Sequence, residues 1–413
     1  MERYVFEWIT EYLAKNCPLN PSQHGFQTNK SCVTQLLECV DFISCALDAG
    51  DCVDVVSVDF RKAFDKVPHD ALLEKMRARK IPSILIRWVE TFLHNRQQRV
   101  IIRGTYSEWR VVLIGVPQGS VLGPLLFAIY VDDLDSVFTH DVQPKKFADD
   151  TKLMHSYSKA TASLGHSIMQ ANLDALCAWC EKWRMPLNVA KCAVMHFGYG
   201  NPCLPYTLEN LPLQRVDQIK DLGIILSQSL KFSAQCEQAA ANARKVAGLL
   251  FRTFTSRSSR IILPLYKSYI RPIVEYATPV WNPSFHKDIA EVESVQRFVT
   301  KRIAEVKGLS YEDRLRVLHL PTLAVRRLYF DLIECYKIIH HIDQCACVSS
   351  FHFKRTSTRG HQYMLVPQPA RLLIRCHTFT NRIIHAWNKL PAQIVNAPTL
   401  TAFKRSLQHH LCM

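Results

Sequence analysis

The spacing of apolar residues divides the chain into a first part that mixes helices with strands and a second part that is almost wholly helical. In the first part, apolar residues that recur every three to four positions predict helices over residues 3–16, 32–47, 70–79, 82–94, 123–138 and 163–184. Apolar runs predict strands at 53–58 and 187–197, and turn residues between short runs predict hairpins at 99–113, 146–154 and 219–226. The run at 53–58 is apolar almost throughout, as expected of a strand in the centre of a sheet.

The second part begins near Phe232 and keeps a helical pattern that prolines interrupt. These prolines are Pro264, Pro272, Pro279, Pro283 and Pro321. The polar stretch 352–362 is typical of a linker, and residues 379–411 predict a last helical piece. The pattern therefore predicts an α+β fold, with residues 1–226 mixed and the remainder helical.

Acidic residues stand at two informative places in the mixed part. Asp149 and Asp150 fall at the turn of the predicted hairpin 146–154, and Asp59 ends the apolar strand 53–58. An Asp-Asp pair alone is weak evidence, since Asp132-Asp133 is a second one. A buried strand that delivers a carboxylate to its end is costly unless a cation meets it. Three carboxylates brought together predict a site for two divalent ions and for displacement at phosphorus.

The net charge of +15 is unevenly distributed. Basic and acidic residues balance over residues 1–200, whereas Lys and Arg are about twice as numerous as Asp and Glu in residues 201–413. Basic pairs on a helix often form nothing more than a solvated face. An excess sustained over half the chain instead indicates a polyanionic partner, and nucleic acid fits best.

Cysteine spacing and hydropathy indicate the cellular compartment in which the chain is found. The fifteen cysteines lack paired spacing, which favours reduced thiols in an intracellular protein, nuclear or cytoplasmic. Cys345, Cys347 and His352 are a poor zinc set, because no second pair of ligands follows. No apolar stretch is long enough to cross a membrane, and charges occupy the first residues, where a signal peptide needs an apolar core.

Three blocks in one order carry a family resemblance: Val58–His69 with the sequence VDFRKAFDKVPH, Gly115–Pro124 with GVPQGSVLGP, and Phe147–Asp150 with FADD. In this order they resemble the reverse transcriptases of non-LTR retrotransposons. The resemblance is strong over about residues 20–230 and weaker at Trp281-Asn282-Pro283 and Trp387–Pro391. It implies a right-hand polymerase with partial fingers (1–50), a palm (51–226), a basic helical thumb-like domain (227–345), and a linker with a C-terminal helical segment (346–413).

The resemblance also implies roles for single residues. Asp59, Asp149 and Asp150 match the carboxylates that bind two Mg²⁺ ions, for which Mn²⁺ is a possible substitute. Lys191 matches a lysine that protonates the departing pyrophosphate, although a solvated lysine at a strand end is a nearly equal reading. The hairpin 219–226 matches the grip on the primer end. The implied partners are an RNA template, a DNA primer and dNTPs.

Residues that match the family's nucleotide contacts complete the predicted site. Phe64 matches the aromatic that stacks under the sugar and excludes a 2′-hydroxyl, with ordinary core packing as the alternative. Gln118 and Gly119 match the loop that touches the incoming nucleotide and the template. Gln27 stands where the family has an arginine that holds the triphosphate. Lys30 and Arg61 are possible substitutes for that arginine.

The same likeness leaves two alternatives open. The chain begins within the family's fingers and lacks its endonuclease, which indicates a fragment of a longer element or a relic. One alternative is therefore a catalytically silent remnant that only binds nucleic acid. An RNA-dependent RNA polymerase on the same palm is the other, but Phe64 disfavours it, because such an enzyme must admit a 2′-hydroxyl.

Overall fold

The computed structural model describes residues 1–354 and 361–413, and these form two compact units. Unit 1 comprises Met1–Ser31 and Gly50–Val216, and unit 2 comprises Cys32–Ala49 and Asp217–Met413. The predicted segment 1–50 is thus divided between the two units. The functional names of the predicted domains remain predictions.

Helices dominate both units, and they are numbered here in chain order. They are α1 Glu2–Asn16, α2 Cys32–Ala49, α3 His69–Ala78, α4 Ser83–Leu93, α5 Gly123–Tyr130, α6 Ala162–Lys182, α7 Ser233–Thr253, α8 Ser259–Leu265, α9 Arg271–Glu275, α10 Thr278–Trp281, α11 His286–Thr300, α12 Tyr311–Val317, α13 Leu323–Ile339, α14 Leu373–Cys376, α15 Phe379–Asn388, α16 Ala392–Val395 and α17 Leu400–His410.

The strands are shorter, and most of the long ones lie in unit 1. They are β1 Cys52–Val58, β2 Gln97–Gln98, β3 Ile101–Ile102, β4 Thr105–Tyr106, β5 Arg110–Val111, β6 Val142–Phe147, β7 Asp150–Tyr157, β8 Ala193–Phe197, β9 Thr207–Leu208, β10 Leu211–Pro212, β11 Gln214–Arg215, β12 Gln218–Asp221, β13 Ile224–Ser227, β14 His352–Phe353 and β15 Leu365–Val366.

The main sheet of unit 1 has the strand order β11-β8-β1-β7-β6. Strand β1 is central and antiparallel to both β7 and β8, which confirms the position predicted from its apolar run. Its ladder with β7 ends with Val58 opposite Thr151, so Asp59 follows at the edge where β7 begins. Val56 and Val58 join the core that this face of the sheet shares with α1 and α3–α6.

An ionic cluster ties the 3₁₀ turn Asp132–Val137 to the rest of unit 1. Its three acidic residues are each paired with a cation: Asp132 with Arg79, Asp133 with Lys75 and Asp135 with Lys146. The ammonium of Lys146 is fully buried and lies 2.6 Å from Asp135 Oδ1. A buried charge is tolerated when it is paired and hydrogen-bonded. The role of these three carboxylates is therefore to pair with cations within the fold.

Unit 2 is built on α7, which packs against α11 and α9, and on α13, which packs against α10, α15 and α17. Its two Trp-Asn pairs have a structural explanation. The indole N–H groups of Trp281 and Trp387 donate to backbone carbonyls at 2.8 Å, and both rings are buried. The side-chain amide of Asn388 exchanges two hydrogen bonds with the backbone of Leu365. These motifs therefore anchor the core of unit 2.

Three element predictions in unit 1 need correction. The strand predicted over 187–197 starts only at Ala193, because Val189–Lys191 form a 3₁₀ turn that packs on Asp59. The helix predicted over 123–138 ends at Tyr130, where the ion-paired turn begins. The hairpin at 99–113 consists of two short ladders, β2–β5 and β3–β4, whose residues stay exposed.

In unit 2, the piece predicted over 379–411 is three helices, because Pro391 and Pro398 interrupt it. A two-residue ladder, β14–β15, interrupts the helical pattern. The predicted linker 352–362 lies partly outside the described residues. The fifteen cysteines, all of which lie in the described part, are free thiols.

Candidate active site

Asp59 is held by a turn that follows α6. Its Oδ2 accepts a hydrogen bond from Asn188 Nδ2 at 2.9 Å, and its carbonyl oxygen accepts one from the Asn188 N–H at 2.8 Å. The Asp59 N–H donates to Cys192 Sγ at 3.3 Å. Neither Asn188 nor Cys192 was predicted as a site residue. The turn fixes both the backbone and the carboxylate of Asp59, so the carboxylate orientation is set before any ligand binds.

Asp149 lies in the two-residue turn between β6 and β7, so the predicted tight hairpin is present. Ala148 precedes it with a φ of 56°, and buried Gln23 fixes this residue through its side-chain amide. Gln23 Oε1 accepts from the Ala148 N–H at 2.9 Å, and Gln23 Nε2 donates to the Ala148 carbonyl at 3.2 Å. Gln23 is a positioning residue that the sequence placed only in a loop.

Gly25 allows this loop to approach the hairpin. A Cβ atom built at Gly25 would lie 2.3 Å from the Ala148 backbone nitrogen, which no side chain could tolerate. Two backbone hydrogen bonds join the loop to the hairpin just before this contact: His24 N–H donates to Lys146 O at 2.7 Å, and Lys146 N–H donates to Ser22 O at 2.9 Å. Glycine is therefore required here for close approach.

The carboxylates of Asp59 and Asp149 interact electrostatically. Burial raises the pKa of Asp149, and the negative charge of Asp59 raises it further, while a hydrogen bond from its own backbone N–H lowers it. Asp150 is the first residue of β7 and is exposed. Among the described residues, no three His, Cys, Asp or Glu side chains are arranged to hold a metal ion. The structure thus brings together two of the three predicted carboxylates as a pair.

Such a pair fits a divalent cation. Oxygen ligands suit Mg²⁺, and a positive ion between two carboxylates would remove their repulsion and the cost of burying Asp149 in its charged form. Asp149 has no ion-pair partner in the described part of the chain, so this charge is available to a ligand.

Phe64 and Gln118 lie on two segments that are joined by backbone hydrogen bonds. Val116 N–H donates to Phe64 O at 2.8 Å, and Gln118 Nε2 donates to Asp65 Oδ1 at 2.8 Å. The Phe64 ring stacks on Phe127 with centroids 4.4 Å apart and is half-buried. One face of the Phe64 ring therefore packs in the core. Both interpretations of Phe64, contact with the nucleotide sugar and ordinary core packing, remain open. Gly119 is exposed with a φ of 80°.

Gln27, Lys30 and Arg61 differ in whether their side chains already have hydrogen-bond partners within the chain. Gln27 Nε2 donates to Asn20 O at 3.3 Å, and Lys30 Nζ donates to the carbonyls of Pro21 and Gln23, so both side chains turn back into their own loop. Arg61 is exposed, and its guanidinium has no hydrogen-bond or ion-pair partner among the residues described. Lys191 is exposed at the end of the 3₁₀ turn that holds Asp59, and not at a strand end as predicted.

The predicted hairpin 219–226 is present in unit 2 as β12 and β13. Its turn includes Gly223 with a φ of 88°, and Tyr276 Oη donates to the Leu222 carbonyl at 2.8 Å. Gln235 Oε1 accepts from the Ile225 N–H at 2.9 Å, which ties the hairpin to α7. Its predicted contact with the primer stays a prediction.

Similarity to known proteins identifies the family of this chain. Residues 3–226 match the family described as Reverse transcriptase (RNA-dependent DNA polymerase). A probable RNA-directed DNA polymerase from transposon BS of Drosophila melanogaster is 28% identical over 79% of this chain and 40% of its own length. The RNA-directed DNA polymerase from mobile element jockey of the same species is 30% identical over 78% of this chain and 36% of its own.

The chain therefore spans about two fifths or less of the length of these curated relatives. Among solved structures, a telomerase from Candida tropicalis in complex with a TWJ fragment of telomeric RNA is similar at 12% identity and a TM-score of 0.43, over 79% of this chain and 50% of that one. The family match covers more than half of the chain and includes every predicted site residue. The chain belongs to the reverse transcriptase family, as the order of its motifs predicted.

Proposed function

We propose that this chain is an RNA-directed DNA polymerase that adds dNTPs to the 3′-hydroxyl of a DNA primer paired with an RNA template. The observation that carries the proposal is the carboxylate pair, Asp59 and Asp149, fixed by Asn188 and Gln23 at one edge of the main sheet. Membership of the reverse transcriptase family supports it, and such enzymes depend on divalent metal ions.

Asp59 and Asp149 would hold Mg²⁺, with Asp150 beside them and Mn²⁺ as a substitute. When bound, two ions supply positive charge that favours a deprotonated primer hydroxyl and stabilises charge at the α-phosphate. The contribution of the chain is to hold the two carboxylates rigidly before the ions arrive. Asn188 does this for Asp59, and Gln23 does it for the turn that carries Asp149.

For the nucleotide, we propose contacts from Phe64, Gln118 and Gly119, and a triphosphate contact from Arg61. Arg61 is favoured over Lys30, because the Lys30 ammonium already binds two backbone carbonyls. Lys191 is exposed and can donate a proton to pyrophosphate. In this scheme unit 1 supplies the palm and part of the fingers, and a group of basic residues in unit 2 binds the template and primer.

No helix in the described ranges is long and apolar enough to cross a membrane. The nuclear or cytoplasmic location stays a prediction from the sequence.

Primer extension tests the proposed function. The full chain is incubated with a DNA primer on an RNA template, dNTPs and Mg²⁺, and then with Mn²⁺. Extension with dNTPs supports the proposal. Extension only with rNTPs would assign an RNA polymerase, and template binding without extension under either metal would assign the silent remnant.

Gln27→Arg is expected to lower the KM for dNTPs. A guanidinium can meet two phosphate oxygens, and charged hydrogen bonds contribute about 1.5–3 kcal/mol, so the gain should be about ten- to a hundredfold. The measurement is primer extension against dNTP concentration. Thr28→Arg is the matched control, because it adds the same charge at an exposed neighbouring position. Identical curves for Gln27→Arg and the unsubstituted chain would show either that residue 27 does not face the triphosphate or that another cation, Arg61 or Lys30, already binds it.

Phe64→Ala is expected to admit ribonucleotides. Loss of the ring removes the wall that would meet a 2′-oxygen, and the ratio of rNTP to dNTP incorporation should rise about tenfold, or about 1.4 kcal/mol. Truncation of an aromatic in a core costs about 3–5 kcal/mol, so melting is measured as well. Phe92→Ala is the control, since Phe92 is also half-buried and stacked on a ring, Trp88. Unchanged selectivity in a folded Phe64→Ala chain would leave core packing as its role.

A further inference from the structure

Unit 2 contains a basic cleft between α7, α11 and α12. The cleft has a volume of about 660 Å³, and five of its lining side chains are cations. They are Arg244 of α7, Arg297, Lys301 and Arg302 at the end of α11, and Arg314 of α12. None of these residues belongs to the carboxylate site of unit 1.

The positive charge of this cleft is mostly uncompensated. Arg244 is paired with Glu291, with Arg244 Nη2 and Glu291 Oε1 2.8 Å apart. No carboxylate is paired with the other four cations in the part of unit 2 that the structure describes. Arg302 instead lies over the Phe298 ring at 3.6 Å and donates to the Phe298 carbonyl. Arrangements of this kind orient a cation without neutralising it.

Arg314 gives the strongest argument for an anionic ligand. Its side chain is buried, with the residue only 8% exposed, and its Nη1 donates to the Arg297 carbonyl at 3.2 Å. Its Nε has no hydrogen-bond partner among the described residues. A buried guanidinium without a carboxylate is costly, and an anion that enters the cleft would repay that cost.

We propose that this cleft binds the sugar–phosphate backbone of nucleic acid, with Arg314 at its floor and Arg297, Lys301 and Arg302 on its wall. Four uncompensated cations suit several linked phosphates better than one isolated anion. Arginine predominates, and its planar donor groups match phosphate oxygens in pairs. The inference rests on the proposed function, since a polymerase must hold its template and primer during synthesis. It adds the surface that does so.

The test compares two double variants of the full chain that remove equal charge. Lys301→Ala with Arg302→Ala removes two exposed cations of the cleft, and Lys267→Ala with Arg405→Ala removes two exposed cations elsewhere in unit 2. Binding of a fluorescent DNA primer on an RNA template is measured at several salt concentrations without dNTPs or divalent metal. Each lost phosphate contact should reduce the slope of log K against log salt by about 0.7–0.9, so the cleft variant should lose about 1.4–1.8. The control variant should keep the original slope.

Arg314→Met, added to the double cleft variant and checked for folding by its melting curve, should reduce the slope of log K against log salt further. Arg314→Lys at the same position should restore part of that slope. Equal slopes for the cleft and control variants would overturn the inference. The inference would also be overturned if the cleft substitutions abolished binding of the chain to poly-glutamate and left RNA binding unchanged, because the cleft would then bind an acidic protein.

Primer extension at saturating template separates this inference from the proposed function. A chain that extends primers but shows no effect of the cleft substitutions on binding refutes the cleft alone. A chain that extends no primer, yet loses binding through these substitutions, refutes the polymerase and keeps the cleft.

Discussion

Asp59→Asn should reduce primer extension at least about a thousandfold, which corresponds to about 4 kcal/mol of lost transition-state stabilisation. Asparagine keeps the shape of the side chain, and its oxygen can still accept the hydrogen bond from Asn188. The negative charge that a divalent ion needs is lost, however, so catalysis should fail while the fold and template binding remain. Asp149→Asn should have the same effect on extension.

The thermal stability of Asp149→Asn distinguishes lost charge from lost structure. Because burial and the charge of Asp59 raise the pKa of Asp149, its ionised form destabilises the folded chain at neutral pH. The asparagine variant should therefore melt at the same or a higher temperature in metal-free buffer, although it is inactive. Asp174→Asn, the same change at an exposed position of α6, is the control and should keep full activity. More than a few per cent of residual activity in Asp59→Asn or Asp149→Asn would refute their assignment as metal ligands.

Gly25→Ala should reduce extension about a hundredfold, because a displacement of about 1 Å in a catalytic group can cost that much. The new methyl group would overlap the Ala148 backbone nitrogen, and neither side of this contact is a flexible side chain. Either the loop 22–25 or the turn with Asp149 must move. We expect overpacking to cost about 1–3 kcal/mol of folding free energy as well.

Gly248→Ala provides the matched control for this substitution. Gly248 lies inside α7, where an added Cβ would meet nothing within 4 Å, and alanine is favoured over glycine in a helix by about 0.5–1 kcal/mol. This variant should keep activity and gain stability. Wild-type activity in Gly25→Ala would show that the loop does not position the hairpin turn.

Local pattern was sufficient to predict several elements of this chain. The valine-rich run that ends in Asp59 defined β1, because β-branched residues on both faces of a short segment favour a strand covered on both sides. The hairpin around Asp149 and the long helix α6 followed from turn residues and periodicity within a few positions. The order of the three motif blocks was sufficient to predict the family.

Only the tertiary structure revealed the residues that hold the carboxylates in place. Asn188 and Gln23 are far in sequence from Asp59 and Ala148, and neither neighbourhood marks them as functional. The sequence likewise gave no sign that the Lys30 ammonium is hydrogen-bonded within its own loop, or that the charge on Arg314 has no carboxylate partner among the described residues. Hydrogen-bond partners of this kind depend on which segments meet in space, and periodicity carries no such information.

The two Asp-Asp pairs illustrate this division between sequence and structure. They are identical in sequence, yet Asp132 is paired with Arg79, the residue that follows α3, and Asp133 is paired with Lys75 of α3. Asp149 is placed instead beside Asp59, and its pKa is raised. The sequence determined that acidic residues end a strand and occupy a hairpin turn. The fold decided which carboxylates meet cations of the chain and which remain available for a metal ion, because that depends on the side chains that distant segments bring within a few ångströms.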